Sequence, residues 1–345
     1  MNGYLCYHHN DMDGKAAANE VYKHWLSQGI KPDSTMFIMR GYDEPFSQDD
    51  YSGKEVYLVD LSFTDKNIGK LMQICEYASK VTWIDHHKSS IEVIKNEELK
   101  GKLSEYSNLE YFVNNNACGA LLCYIYFNMR PYKFSSPQSL DYGIEYLGSK
   151  SITAMKVTDP DGNTSIDDIP YFMKLIDLWD RWVYGEDLNP VYFNFGCDSR
   201  ATSLFNYATK DSKTKTYNKN FWGCIDQRYV VNAIINDGKI AKRYNDNMNR
   251  INRQESAYEA RIDGWKGLVF NGHGNSTVFG PMVNKYDIVC LWNYNGKLGL
   301  YQYSLYSAND NVDCSKIAQK FNPNGGGHKG AAGFSSKELI FKRKD

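Results

Sequence analysis

Three short clusters in this 345-residue chain carry residue types able to do chemistry. The stretch YHHNDMDGKAAA, Tyr7 to Ala18, spaces His9, Asp11 and Asp13 two residues apart and follows them with Gly14, where the chain can turn. Alone it reads first as a polar turn, because aspartates cap helices and favour turns. Asp60 comes directly after the apolar run VYLV, and IDHHKSS sets Asp85, His86 and His87 behind another apolar run. Histidine is scarce, seven in all, yet five of the seven fall at His8, His9, His86, His87 and His328. An Asp-His-His triplet leaving a buried strand is hard to explain by packing. If Asp11, Asp13, Asp60 and Asp85 share one rim with two or more imidazoles, their mutual repulsion calls for divalent cations. Mixed carboxylate and imidazole ligation suits two Mn²⁺ ions, with Mg²⁺ or another divalent ion as the variant, better than a thiolate zinc site. Two such ions polarise a phosphoryl group, supply hydroxide near neutral pH and stabilise a leaving oxygen. Phosphate-ester hydrolysis needs that help, since the uncatalysed reaction is extremely slow. No Walker A sequence is present, so nucleotide-driven phosphoryl transfer is not suggested.

Such a site needs elements that bring the three clusters together. YLCYH (Tyr4 to His8), TMFIM (Thr35 to Met39), EVYLVDLSF (Glu55 to Phe63) and VTWIDHH (Val81 to His87) read as strands. Helical patterns lie between them, the first ending at Gly29. Short apolar runs alternating with amphipathic helices predict a mainly parallel sheet covered on both faces. Ligands of such sheets bind outside the carboxyl ends of the strands, and all three clusters lie at strand ends. Further on, ACGALLCYIYFNM and IPYFMKLIDLWDRWVYG look helical, and RYNDNMNRINRQESAYEARI (Arg243 to Ile262) reads as a polar connecting helix. Strand patterns then follow, with an Asn-Gly hairpin turn expected in YNGK. The expected architecture is α/β. Residues 1–200 form the catalytic domain, 201–262 a helical connector, and 263–345 a smaller α/β domain, with a cleft between the two domains.

Composition narrows the partners. The chain has 40 basic against 41 acidic residues, so the broad positive footprint of a duplex-DNA binder is missing while small anionic substrates remain open. None of the eight cysteines forms a CxxC pair, which reads as reduced core thiols in a cytoplasmic protein. Asp11 interrupts any signal peptide, and no apolar run approaches a membrane span. A homodimer is left open. Near the end, GGGHKGAAGF resembles a phosphate-cradling loop, with Gly325, Gly326, Gly327 and Gly330 freeing the backbone and His328 and Lys329 as donors; its bland reading is a glycine-rich turn.

Together, HNDMDG, VDLSF, IDHHKSS and the distant GGGHKGAAGF resemble the motifs of the DHH phosphoesterase superfamily, in the family's order and across nearly the whole chain. The tail is similar to its DHH-associated substrate domain. The length looks most like the short nanoRNA (oligoribonuclease) phosphodiesterases and the linear-dinucleotide or adenosine bisphosphate hydrolases. The resemblance implies that His9 and Asp11 bind one Mn²⁺, that Asp13 and His86 help bind the other, and that Asp60 bridges them. It implies that Asp85 orients its neighbours, and that His87 faces the scissile phosphate and protonates the leaving oxygen. A fourth motif supplies one more aspartate, for which LIDLWDRWVYG offers Asp177 and Asp180; DRW favours Asp180. Two positions depart from relatives. Tyr7 stands where some branches carry the first histidine. In SLYS, Tyr306 stands where many short members carry a phosphate-binding arginine, and it can stack or donate one hydrogen bond but cannot form a bidentate pair.

The expected activity is hydrolysis of very short oligonucleotides, nanoRNAs and linear dinucleotides, to mononucleotides. The alternatives are a cyclic or linear signalling-dinucleotide phosphodiesterase, an adenosine 3′,5′-bisphosphate phosphatase and, outside catalysis, an inactive nucleotide sensor or sponge.

Overall fold

The first strand, β1 (Tyr4–His8), is the register reference for a five-stranded parallel sheet in this computed structural model. The structure describes residues 3–41, 44–129, 142–147, 153–207, 215–274, 276–323, 325–327, 329–341 and 343. Two compact units divide it, Met1–Ala241 and Lys242–Asp345.

In the first unit β1 is followed by α1 (Met12–Ser27), β2 (Phe37–Met39), α2 (Gln48–Tyr51), β3 (Glu55–Val59) and α3 (Ile68–Tyr77). Then come β4 (Lys80–Asp85), α4 (Lys88–Lys95), α5 (Glu97–Ser104), β5 (Leu109–Val113) and α6 (Gly119–Asn128). The strand order is β2-β1-β3-β4-β5, every pair parallel, as the alternating pattern predicts. Strand residues alternate between two cores. Leu5, Tyr7, Val56, Leu58, Val81 and Trp83 face the core shared with α3 and α4, while Cys6, Tyr57, Val59 and Ile84 face the one shared with α1 and α6. The run Ala16–Ala18 on α1 is fully buried, and these small side chains allow close helix approach. The order reverses between β1 and β3, so the chain leaves those two strands in opposite directions and opens a crevice at their carboxyl ends.

The unit continues with a small antiparallel sheet, β6 (Gly143–Tyr146), β7 (Ala154–Thr158) and β8 (Thr164–Asp168). After it come α7 (Tyr171–Asp180), α8 (Asn189–Asp198) and the paired strands β9 (Phe205–Tyr207) and β10 (Lys215–Tyr217). Next is the long α9 (Arg228–Ser256), inside which the division of units falls. The connecting helix read through Ile262 therefore stops at Ser256. Ala257–Ile262 is β11, paired with β12 (Trp265–Asn271) around Asp263 and Gly264, both in the left-handed region. Tyr258, Ala260 and Ile262 alternate onto the core, a two-residue period hidden among polar neighbours.

The second unit adds β13 (Ile288–Asn295), β14 (Leu300–Tyr306), α10 (Cys314–Phe321), β15 (Gly326–Gly327) and β16 (Ala331–Ser336). Its sheet runs β11-β12-β13-β14-β16-β15, with only β12 and β13 parallel. Asn295-Gly296 does turn the chain, but in a four-residue loop. Gly299 takes the left-handed conformation and its N–H donates to the Asn295 carbonyl at 2.8 Å. All eight cysteines are unpaired thiols. Among the described residues no helix is long and apolar enough to cross a membrane.

Candidate metal centre

Each cluster leaves a strand of the parallel sheet at its carboxyl end. His9, Asp11 and Asp13 follow β1, Asp60 follows β3, and Asp85 closes β4 ahead of His86 and His87. Asp11 caps α1, its Oδ1 accepting from the Gly14 N–H at 2.8 Å, and its Oδ2 lies 2.7 Å from His9 Nδ1. Its turn role and its place at the site thus coexist. Asp13, one residue into α1, accepts from the Gly119 and Ala120 N–H groups, both at 2.8 Å, at the start of α6. Asp60 sits at φ 54, rare for a residue with a Cβ. Its N–H still donates to the Ile84 carbonyl, so the turn aims its carboxylate across the end of β4.

Three groups of ligand atoms lie close enough together to hold a cation: His9, Asp11 and Asp60; Asp13, His86 and Asp180; and Asp60, His86 and His87. His86 Nε2 is 3.3 Å from Asp60 Oδ1, 3.3 Å from Asp180 Oδ2 and 3.5 Å from Asp13 Oδ2. His9 Nδ1 is 3.9 Å from Asp60 Oδ2. Asp60 therefore stands between the two outer groups. It is only 1% exposed, and neither of its carboxylate oxygens has a hydrogen-bond partner. Two buried carboxylate oxygens without hydrogen-bond partners are costly to leave so, and they are what a bridging cation pair would need.

The proton affinities follow from the same crowding. Burial, then Asp13, Asp11 and Asp180, push Asp60 well up. Burial raises Asp13 against the opposing pull of His86, and raises Asp180 beside Asp13 and Asp11. Burial acts upward on Asp11 too, but the His9 bond and charge bring it down. Asp85 is likewise buried, yet His87 holds its carboxyl below the usual range. In return, His87 is raised to about 9: burial lowers it, and Asp85 more than offsets that. The His87 Nδ1 lies 2.8 Å from Asp85 Oδ1, and the Ser90 hydroxyl donates to the other Asp85 oxygen. Burial and the neighbouring His87 lower His86, which favours its neutral imidazole.

The two helix aspartates part company. Asp180 joins His86 and Asp13, whereas Asp177 does not reach a cluster. Every lone-pair direction of Asp177 is engaged: Oδ1 accepts from the Cys118 N–H at 2.7 Å and Arg181 Nε at 2.8 Å, and Oδ2 from Tyr146 Oη at 2.7 Å and Arg181 Nη2 at 2.6 Å. Of the two candidates, Asp180 lies with the cluster, and Asp177 is held by these other partners. It clamps α7 to the start of α6, which in turn holds Asp13.

Other residues were not legible as site residues. A Cβ on Gly119 would lie 2.8 Å from Asp60 Cβ and 3.1 Å from Asp13 Oδ2, so only glycine leaves room there. Its signal was a glycine opening an apolar helix. Ser90 follows IDHHKS directly, but its bond to Asp85 could not be read from spacing. Tyr7 points the other way from the site. It is buried in the α3-side core, with its hydroxyl on Asp50 and the Arg40 guanidinium over its ring.

In the second unit, the glycine-rich segment is partly a hairpin. Gly326 and Gly327 pair with Gly333 and Ala332. A Cβ on Gly325 would meet the Ala318 carbonyl oxygen at 2.7 Å, and Gly327 has φ 142, so packing alone requires these two glycines. Gly330 and the exposed Lys329 follow; the Lys329 carbonyl accepts from the Cys314 N–H. His328 lies outside the described residues. Tyr306 is half-buried on β14, opposite Val289 and Ala331, and packs against the cluster around Phe270 and Phe279.

No protein-family model matches the sequence, and no curated protein matches it. Solved structures similar to it include a pGpG-specific phosphodiesterase, PggH, from Vibrio cholerae, 13% identical, covering 96% of this chain and 92% of that one at a TM-score of 0.47. The DHH domain of a member of a family of ribosomal proteins is 13% identical over 96% of this chain and 82% of its own, at 0.48. RecJ in complex with Mn²⁺ from Thermus thermophilus is 12% identical over 96% of this chain and 49% of its own, at 0.43. Likenesses this distant decide nothing about activity. The three clusters that the sequence sets behind apolar runs do converge at one edge of the parallel sheet, in chain order.

Proposed function

We propose that the chain is a divalent-metal-dependent phosphoesterase of the DHH type that hydrolyses very short oligonucleotides, nanoRNAs and linear dinucleotides, to mononucleotides. The observation that carries this reading is Asp60, a buried carboxylate with both oxygens unpartnered, set among Asp11, Asp13, Asp180 and three imidazoles. His9 and Asp11 would hold one ion, Asp13, His86 and Asp180 the other, and Asp60 would serve both. Bound there, two Mn²⁺ ions would supply charge for the phosphoryl oxygens and hydroxide from water at neutral pH.

The chain's own groups do the rest. Asp85 fixes the His87 ring through Nδ1, which leaves Nε2 to face the substrate, and Ser90 fixes Asp85 in turn. With its proton held near neutrality, His87 delivers it to the leaving oxygen. Gly325, Gly326, Gly327, Lys329 and His328 bind a substrate phosphate. The balance of charge favours short substrates over long polyanions, whose binding draws on many cationic contacts.

The test is a substrate panel in Mn²⁺: 5′-phosphorylated oligonucleotides from two residues upward, linear and cyclic dinucleotides, and adenosine 3′,5′-bisphosphate. Mononucleotides should appear fastest from the shortest linear substrates, and Asp60→Ala or His86→Ala should abolish turnover. Preference for the cyclic or bisphosphate compounds would reassign the substrate. Tight binding with no turnover of any of them would make the chain a sensor.

A further inference from the structure

Beside the metal-type centre lies a pocket whose lining joins Asp11, Asp13 and Asp180 to apolar side chains of two helices. Leu175, Ile176 and Trp179 come from one face of α7, at the spacing that stacks side chains along a helix. Pro190, Phe193 and Asn194 come from α8 at the same spacing. Trp179 immediately precedes Asp180, so the helix fixes the indole beside a residue of the cluster. Two more rings pack near it: Trp182 lies 5.1 Å away between centroids, and Tyr184 lies 6.0 Å away, at 17° to it.

Trp25, Trp83 and Trp222 are core residues, whereas Trp182 is 55% exposed and has φ 57. Asp60 and Trp182 are two of the three non-glycine residues with positive φ among those described, and each belongs to this corner of the first unit. Indole and aliphatic side chains do not attract a phosphate, and the carboxylates that share the lining repel one. A flat, uncharged ring attached to a phosphoester held at the cations does fit, and Asn194 adds an amide that both donates and accepts.

We propose that this pocket takes the nucleobase of the nucleotide whose phosphate is cleaved, stacked on Trp179. The inference rests on the phosphoesterase reading and names the group next to the scissile phosphate that the site recognises.

Calorimetry tests it without turnover. The full chain loaded with Mn²⁺ is titrated with adenosine 5′-monophosphate and with ribose 5-phosphate, which carries the same phosphate and no base. The nucleotide should bind about tenfold tighter or more, the range expected for stacking one base on an aromatic side chain. Trp179→Ala should collapse that ratio toward one, and Trp179→Phe should retain most of it. Equal affinities in the natural chain, or a Trp179→Ala loss shared equally by both compounds, would overturn the pocket assignment while leaving the phosphoesterase reading in place. If the natural chain binds neither phosphate, both readings fall.

Discussion

Asp60 concentrates the electrostatic problem of the first unit. Its carboxyl is raised by burial and by four neighbouring aspartates, Asp13, Asp11, Asp180 and Asp85, so without metal it is a repulsive element in the fold. Asp60→Asn should therefore raise the melting temperature of metal-free protein while removing the extra stability that Mn²⁺ gives. At a hundredfold excess over Kd that extra stability is about 2.7 kcal/mol for each ion bound. A thermal scan with and without Mn²⁺ reads both effects, and a variant that keeps the metal-induced shift would contradict the role given to Asp60. Ser90→Ala acts one step further out, by loosening Asp85 and through it His87. Losing an outer partner of this kind costs roughly 10- to 100-fold in activity, which should appear in kcat with KM little changed. The sequence made the inner residues legible because histidines and aspartates at strand ends have few packing explanations. Ser90 was not legible, since a serine early in a helix has many.

At the scale of elements, α6 and α7 decide which aspartate is which. Both candidates lie on one helix three residues apart, so their spacing could not separate them. The tertiary partners do, since Arg181, Tyr146 and the Cys118 N–H occupy Asp177. Asp180→Asn should preserve the fold and weaken metal binding. Asp177→Ala should instead cost about 3–5 kcal/mol of stability, the usual result of stranding one partner of a buried ion pair. Chemical denaturation and Mn²⁺ titration of the two variants separate these outcomes. Gly119→Ala should disturb both properties, because its methyl group would enter the space between Asp60 and Asp13; overpacking of this kind costs about 1–3 kcal/mol. The parallel sheet was readable because each strand is a short, continuously apolar run. The β11 strand was not, because its inward residues alternate with Glu259 and Arg261 in a segment that continues a polar helix. The glycine-rich tail carries a demand its sequence did not show: Gly325 and Gly327 are required by the hairpin they build, whatever the segment binds.

For the molecule as a whole, protonation and metal binding are linked. His87 is raised from an ordinary 6.5 to about 9. Its contribution to stability is fully present below 6.5 and is lost as pH rises through 9. Raised Asp13, Asp60 and Asp180 act in the same direction, since the folded chain retains protons that the unfolded chain has released. His8, lowered to about 4, and His86 act oppositely, but only below about 6.5, where the unfolded imidazoles are charged. Metal-free protein should thus lose stability between about pH 6.5 and 9, and Mn²⁺ should flatten that decline by taking the place of the protons. The central claim is that Asp60 joins two cation sites at the end of a parallel sheet. It is tested most directly by calorimetric titration of Mn²⁺ into chelator-treated protein, natural chain beside Asp60→Asn. The account predicts two ions per natural chain and loss of that pair in the variant. An absence of saturable binding, or the same two ions in Asp60→Asn, would contradict it.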